Sequence, residues 1–483
     1  MKGLKNYIKI YQTTSLAVKA GIWFTICSFL QRGIQFLITP IVTRLLSTAE
    51  YGIYTLFISW VNIITIFASL NLSQGIYYNG LLKNENDEKV YTSSLLGVGT
   101  VSTFLVFIAI TIFYPGIKMW INFSYSYIIL MFFVVLTQPA FGFWSARQRI
   151  KYKYRAVLLI TLLNAVLVPT IGIMIFKIYP DLGGYAFILG YVCVNVFING
   201  FIYLKAFKDN KTFYQKEYWK QALNFSIPLI PHYLSLVVLG QSDRIMVNYY
   251  EGASAAGIYT LANQIALVMS ILITGINSAL TPWLYQNIKN RNWEKIRKNT
   301  RILVLLFMVI TSIFVLVAPE ILTIVGTEKY LEAKWIIPPI MMATFLTFIY
   351  CMFGTILFYY ESTKQIAVSS MSGAILNVIL NVIFIPRFGY VAAGYTSLVS
   401  YFVILIFYYI EMNRCCTKNK ISKKMFDIQS IIIMIFLYLI YSVCILALYD
   451  MFWIRYIIAF VAVLLLVVFK TRIFKIINEF KAM

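Results

Sequence analysis

Gly52-Ile53-Tyr54-Thr55-Leu56 recurs letter for letter as Gly257-Ile258-Tyr259-Thr260-Leu261, 205 positions further along a chain of 483 residues. A second match, Pro180-Asp181-Leu182-Gly183 against Pro386-Arg387-Phe388-Gly389, lies at an offset of 206. One pentapeptide could be chance. Two matches at nearly one offset, each at an equivalent turn, mark an internal duplication. Each copy of the first opens a long uncharged apolar run, and each copy of the second joins two such runs.

Those runs set the fold class. Apolar letters make up 60% of the sequence and charged ones 12%, against roughly a quarter charged in soluble domains. About 20 residues of helix cross the ~30 Å of hydrocarbon, where backbone groups are satisfied only within a helix or a closed barrel. The runs predict spans at residues 21–40, 53–72, 93–114, 125–144, 156–176, 185–204 and 223–249. The second series lies at 257–280, 302–325, 335–359, 365–385, 391–410, 428–448 and 452–469. The prediction is therefore an all-α integral membrane protein of about 14 transmembrane helices. Six spans separate the repeated motifs, an even number, so the two copies share one orientation. That implies two six-helix lobes in a parallel pseudo-two-fold repeat plus a C-terminal helix pair, an arrangement found among transporters that handle substrate between lobes. The expected divisions are residues 1–222 for the first lobe with its N-terminal cytoplasmic segment, 223–411 for the second, and 412–483 for a cytoplasmic loop and the last two helices.

The net charge of +23 would suggest nucleic acid in a soluble protein, but here position matters more than total. Alternate loops place 32 of the 41 Lys and Arg on the side of the termini, 7 opposite and 2 within spans. Basic short loops stay cytoplasmic, so both termini are expected inside. The inner loops include Arg147 to Arg155 and Lys289 to Arg301, readable as topology signals or as docking sites for anionic lipid headgroups. Lys2, Lys5, Lys9 and Lys19 precede the first run, but no small-x-small cleavage site follows, so that run is kept as a span. The six cysteines form no CxxC pair, and packing is their default role.

A polar path between lobes would place polar residues at spacings of three and four on selected spans. The first span carries Ser28, Arg32, Gln35 and Thr39; the second Thr55, Ser59, Asn62 and Ser69. The eighth carries Asn263, Ser270, Thr274, Asn277 and Thr281. The seventh has His232, Ser235, Ser242 and Asp243, beside the helix-bending Pro228 and Pro231. Such residues either glue helices together or line a water-accessible cavity. Arg32, Gln35, Ser59, Asn62, His232, Asn263, Thr274 and Asn277 are the cavity candidates. A charge within a span costs roughly 2.5–3.5 kcal/mol even on gentle scales, so Arg32, Asp243 and Arg244 are the sharper signals. Asp243 and Arg244 point about 100° apart on a helix. Asp243 is expected to pair with Arg32 across the lobes, as a static ion pair or as part of an ion-coupling device, leaving Arg244 to a lipid head, the interface or an anionic substrate. His232, the only histidine, suits a proton relay or packing, and no metal site is expected.

No GxxxxGK[ST] loop, serine-nucleophile motif or HExxH is present, which excludes a P-loop ATPase and leaves no recognisable active site. A membrane-embedded polysaccharide polymerase or glycosyltransferase remains the enzymatic alternative, although such chemistry usually needs paired acids or bases in a sizeable loop, and the outer loops are short.

Arg32-Gly33-Ile34-Gln35-Phe36, leading through Pro40 to residues 44–54 (Arg-Leu-Leu-Ser-Thr-Ala-Glu-Tyr-Gly-Ile-Tyr), resembles the opening signature of bacterial polysaccharide exporters. Ser242-Asp243-Arg244-Ile245-Met246 is similar to the matching part of their second lobe, and Asn377, Asn381, residues 385–389 and Ala392-Ala393-Gly394 to their segment between spans 11 and 12. The resemblance covers nearly the whole chain. It is to the Wzx-type O-antigen and capsule repeat-unit flippases, in the superfamily that also holds multidrug extruders and the lipid II flippase. These motifs diagnose fold more than substrate. The resemblance implies a transporter without an enzyme's chemistry. It would flip an undecaprenyl-diphosphate-linked oligosaccharide (an O-antigen unit of lipopolysaccharide, a capsule unit or an exopolysaccharide unit) from the inner to the outer leaflet of the bacterial inner membrane by alternating access. Expected partners are that lipid-linked substrate, membrane lipids, a polysaccharide polymerase and glycosyltransferases, with no nucleic acid. No cofactor is expected beyond H+ or Na+ coupling through Asp243. A drug–cation antiporter of the same fold is the alternative, although two buried Arg to one Asp suit anions better. In an Arg32→Cys variant, membrane-impermeant thiol reagents should label the new side chain from one side; failure to label from either side would sink the cavity placement.

Overall fold

The computed structural model describes residues 16–73, 76–84, 87–419, 421 and 425–468. Lys2, Lys5, Lys9 and the last residue of the fourteenth expected span lie outside these. The described chain is helical throughout, with no β-strand. Its helices are α1 (Leu16–Leu45), α2 (Thr48–Ser69), α3 (Ile76–Lys83), α4 (Glu88–Ile121), α5 (Tyr125–Ile150), α6 (Tyr154–Ile178), α7 (Gly184–Asp209) and α8 (Lys216–Ser226). There follow α9 (Ile230–Glu251), α10 (Ala253–Lys289), α11 (Trp293–Leu316), α12 (Ala318–Val325), α13 (Ile337–Tyr359), α14 (Thr363–Phe388), α15 (Val391–Lys418), α16 (Ile428–Leu448) and α17 (Phe452–Val468). Thirteen of the described spans are long and apolar enough to cross a bilayer, with α8 and α9 counted as one, and α17 is a shorter apolar helix. The protein is a multi-pass membrane protein.

Several helix ends depart from the sequence expectation. The ninth span, expected as 302–325, breaks at Val317 into α11 and α12. Pro319 sits at the start of α12, where its missing N–H costs nothing, whereas within a continued helix it would remove a hydrogen bond. The seventh does not begin at 223: α8 ends at Ser226 and a 3-10 turn, Ile227–Leu229, intervenes before α9. Pro228 and Pro231 account for that interruption. Helices α4 and α10 run to 34 and 37 residues, about 50–55 Å at 1.5 Å per residue, so their polar ends project beyond the hydrocarbon.

Two compact units emerge, one of residues 1–46 with 53–237, the other of residues 47–52 with 238–483. In the first, α6 and α7 touch backbone to backbone: a Cβ on Gly190 would lie 2.5 Å from the Gly172 nitrogen. An aromatic cluster at one end stacks Tyr77 on Tyr91, 5.9 Å between centroids, and sets Phe143 4.4 Å from Tyr77.

The second unit claims the opening turn of α2. Ser47 and Glu50 form a capping box, the Ser47 hydroxyl accepting from the Glu50 amide while the Glu50 carboxylate accepts from the Ser47 amide at 2.7 Å. Gly52 and Gly257, the paired residues of the repeat, then cross. A Cβ on Gly52 would fall 1.8 Å from the Ala253 carbonyl oxygen, and one on Gly257 2.1 Å from that of Thr48. The Thr48 and Ser254 hydroxyls meet alongside at 2.7 Å.

Within the same unit, α16 and α17 are clipped along α11. At the foot, Asp427 caps α16 by accepting from the Ser430 amide and hydroxyl, and ion-pairs with Arg297 and Arg301. At the far end, Arg455 of α17 is 5% exposed; it donates to the Leu316 carbonyl at 2.8 Å and to both Glu320 oxygens at 3.0 and 2.8 Å.

Removing one partner of a buried pair strands the other. Arg455→Ala is expected to lower unfolding stability in mixed micelles by about 2–3 kcal/mol, and Arg455→Leu combined with Glu320→Leu to recover most of it. Burial opposes ionisation of Asp427, but the Ser430 groups and the Arg297 and Arg301 guanidiniums outweigh it and hold its carboxyl below the usual range. A depressed carboxyl stabilises the fold above its unfolded value of about 3.9 and loses that contribution as pH falls toward its folded value. The unfolding midpoint should therefore fall below about pH 4 more steeply in the wild type than in Asp427→Asn.

A buried carboxylate cage as candidate functional site

Asp243 lies on α9 and is 7% exposed, inside a segment surrounded by apolar groups. An ionised carboxylate there is tolerable only if neighbours supply what water would have supplied. Three helices do so. The Tyr259 hydroxyl of α10 donates to one carboxylate oxygen at 2.5 Å, and the Ser397 hydroxyl of α15 to the same oxygen at 2.6 Å. The Asn381 amide of α14 donates to the other oxygen at 2.6 Å.

These donors are themselves fixed. Asn377 and Asn381, one turn apart on α14, face the same way. The Asn377 carbonyl accepts from the Ser242 hydroxyl at 2.8 Å and from the Asn381 amide at 3.2 Å, and its amide donates to Ser397 at 3.3 Å. The Thr396 hydroxyl donates to the Asn381 carbonyl. Asn377, Asn381, Thr396 and Ser397 are all buried. Among the described residues no salt bridge reaches Asp243, and its hydrogen-bond donors are neutral. Carboxylate, amide and hydroxyl oxygens converge from Asp243, Asn377, Asn381, Thr396 and Ser397. That is the donor set a proton or a hard cation uses.

Sequence reasoning found Asp243 and missed its cage. The signal was the Asn-x-x-x-Asn step at 377 and 381 inside an otherwise apolar run, and Tyr259 within the repeated pentapeptide. Comparison of the two lobes sharpens it. At the 206 offset set by the Pro180 and Pro386 turns, Gly190 corresponds to Thr396. The first copy uses this position for close helix contact; the second carries there a hydroxyl that bonds Asn381.

The other expected site residues are placed separately. Asp243 takes its hydrogen bonds from within the second unit, and Arg32 belongs to the first. Arg32, Asn62 and His232 are half-buried, and Gln35 is exposed. Ser59 is buried and spends its hydroxyl on the Thr55 carbonyl at 3.0 Å. Thr274 bonds the Ser270 carbonyl at 2.8 Å, and Asn263 the Tyr259 carbonyl at 3.3 Å. Asn277, lower on α10, keeps a buried carbonyl oxygen without a hydrogen bond among the described residues, as does His232 its Nδ1. Arg244, the next residue on α9, takes no part in the hydrogen bonds of the cage and donates to Gln241 at 3.4 Å.

The family model described as "Polysaccharide biosynthesis protein" matches residues 17–288, and that described as "MatE" matches residues 228–383. A protein of the Lsg locus of Haemophilus influenzae is 28% identical over 188 residues, 38% of this chain and 46% of that protein. The chain thus matches about half the length of that relative. An uncharacterized membrane protein of Methanocaldococcus jannaschii is 22% identical over 84% of this chain and 86% of its own. Among solved structures, the lipid II flippase MurJ in an inward closed conformation superposes with a TM-score of 0.70 at 13% identity, covering 94% of this chain and 100% of that one. An inward-facing multidrug resistance MATE transporter of the MOP superfamily gives 0.57 at 14% identity, covering 81% and 96%. The helical layout is therefore that shared by MurJ and the MATE transporters, and with more than half its length matched, the chain belongs to the polysaccharide biosynthesis protein family.

Proposed function

We propose that this protein is a flippase that carries an undecaprenyl-diphosphate-linked oligosaccharide, an O-antigen, capsule or exopolysaccharide repeat unit, from the inner to the outer leaflet of the bacterial cytoplasmic membrane. The observation that carries this reading is membership of the polysaccharide biosynthesis family on a fold shared with a lipid flippase. The bias of Lys and Arg toward one set of loops supports cytoplasmic termini. A polymerase and glycosyltransferases are the natural suppliers and consumers of such a substrate.

In this reading transport proceeds by alternating access and draws its energy from an ion gradient, with Asp243 as the carrier. The cage supports that role. A carboxylate whose hydrogen bonds come from the neutral groups of Tyr259, Ser397 and Asn381 offers oxygens that a proton or Na+ can take. An arriving cation can take the oxygens while the two hydroxyls rotate their protons away. Each ion state then favours a different arrangement of α9, α14 and α15, which is how binding energy biases a conformational equilibrium.

The match to the MatE model over residues 228–383, which takes in Asp243, Asn377 and Asn381, favours one second reading, a drug–cation antiporter. Sealed vesicles containing the purified protein distinguish the two. The flippase moves a lipid-linked oligosaccharide and leaves lipophilic cations where they are; efflux of cations with no movement of lipid would overturn it. Asp243→Asn removes the charge at nearly constant shape and is expected to reduce gradient-driven transport about tenfold or more while sparing folding. Equal transport by wild type and variant under every imposed H+ and Na+ gradient would remove Asp243 from the coupling role.

A further inference from the structure

At the end of the first lobe where α4 begins, α5 ends, α6 begins and α7 ends lies a cavity of about 410 Å³. Arg147, Lys151, Lys153 and Lys205 line it, with Asp209 the acidic lining residue. Glu88, in the first turn of α4, stands behind them: Lys151 Nζ is 2.6 Å from one of its oxygens and Arg147 Nε bonds the other. Among the described residues Lys153 and Lys205 have no acidic partner. Four cations thus share the space with two carboxylates, and an anion of about two charges balances the remainder.

The cations are presented by fixed backbone. Tyr152, between Lys151 and Lys153, has φ 52°, in the left-handed region. The turn is closed by hydrogen bonds from the Lys151 amide to the Arg147 carbonyl at 3.2 Å and from the Lys153 amide to the Gln148 carbonyl at 2.9 Å. Trp144 and Phe201 form an apolar wall to the same cavity. Phe201 is 67% exposed and Leu204, one turn on, 69%, so this side of α7 faces lipid chains. A guanidinium and three ammonium groups at the level of headgroups, with an apolar wall open to the acyl region, match an amphiphile whose polar end is phosphate.

We propose that this cavity docks a membrane lipid whose head carries two phosphate groups, held by Arg147, Lys151, Lys153 and Lys205 with its chains along the Phe201 side of α7. The chemistry is shared by a lipid diphosphate and by a phospholipid with two phosphodiesters. Its assignment to the cytoplasmic leaflet rests on the orientation proposed above; the binding itself does not depend on flipping.

The test titrates full-length protein in micelles with cardiolipin, with a short-chain polyprenyl diphosphate, with phosphatidylglycerol and with inorganic pyrophosphate, reading bound ligand by native mass spectrometry. At least one two-phosphate lipid should bind about tenfold or more tightly than phosphatidylglycerol, and which one identifies its source. Lys153→Gln with Lys205→Gln, both exposed side chains, should weaken that binding about tenfold. Lys208→Gln with Lys211→Gln, exposed on the same end of the lobe and outside the cavity, should change it less than about twofold. Equal weakening by both pairs would reduce the effect to diffuse surface charge and overturn the proposal. Pyrophosphate bound as tightly as either lipid, or phosphatidylglycerol bound as tightly as the two-phosphate lipids, would overturn it as well. An unchanged thermal midpoint in each variant separates lost binding from lost folding.

Discussion

A carboxylate stripped of water must be resolvated by something, and in the second lobe that requirement organises four helices. Asp243 belongs to α9, its donors to α10, α14 and α15. None of these donors is charged, so the hydrogen bonds to Asp243 come from dipoles alone. Buried polar groups of this kind stabilise only when every member is satisfied. Here Ser242, Asn377 and Thr396 complete the bonds that Asn381 and Ser397 leave open. The cage fixes the register of α14 against α15 and α9 more narrowly than apolar packing alone would, because sliding any one helix by a turn would leave the carboxylate short of a donor.

The duplication has two structural faces. At Gly52 and Gly257 the halves have kept the same residue, because a Cβ on either would collide with the backbone of the other copy's helix. At Gly190 against Thr396 they have diverged. A first-lobe contact that leaves no space for a side chain became, in the second, a place for a hydroxyl that fixes Asn381, one of the donors to Asp243.

How much of this was legible follows from what each feature depends on. The spans could be read because lipid forces long uncharged runs, and the lobes because two motifs recur at one spacing. Helix ends were less legible: α4 and α10 continue past the apolar run on polar residues, and Pro319 and Pro228 break helices whose apolar character is unbroken. Asp243 stood out as an acid within a span. Its contacts with Asn381 and Ser397, 138 and 154 residues away, could not be read, although the Asn377 and Asn381 step itself stood out, because proximity across helices leaves no periodic trace. Ser59, Thr274 and Asn263 read as a polar stripe, yet each makes a hydrogen bond to its own helix backbone, a use that spacing cannot separate from lining a cavity.

The clasp between Arg455 and Glu320 carries an implication for how the chain is made. Its two halves are 135 residues apart, an interval on the order of ten seconds at typical rates of synthesis. During that interval the acid waits in the first turn of α12 without its base. The base arrives on a helix of 17 residues, shorter than the ~20 that cross the hydrocarbon, and entering lipid alone would expose a guanidinium. Insertion of α17 is thus cheap only after α11 and α12 are in place, which makes it the closing step in assembling the second lobe. A chain stopped short of it would leave the Glu320 carboxylate without the guanidinium that otherwise pairs with it.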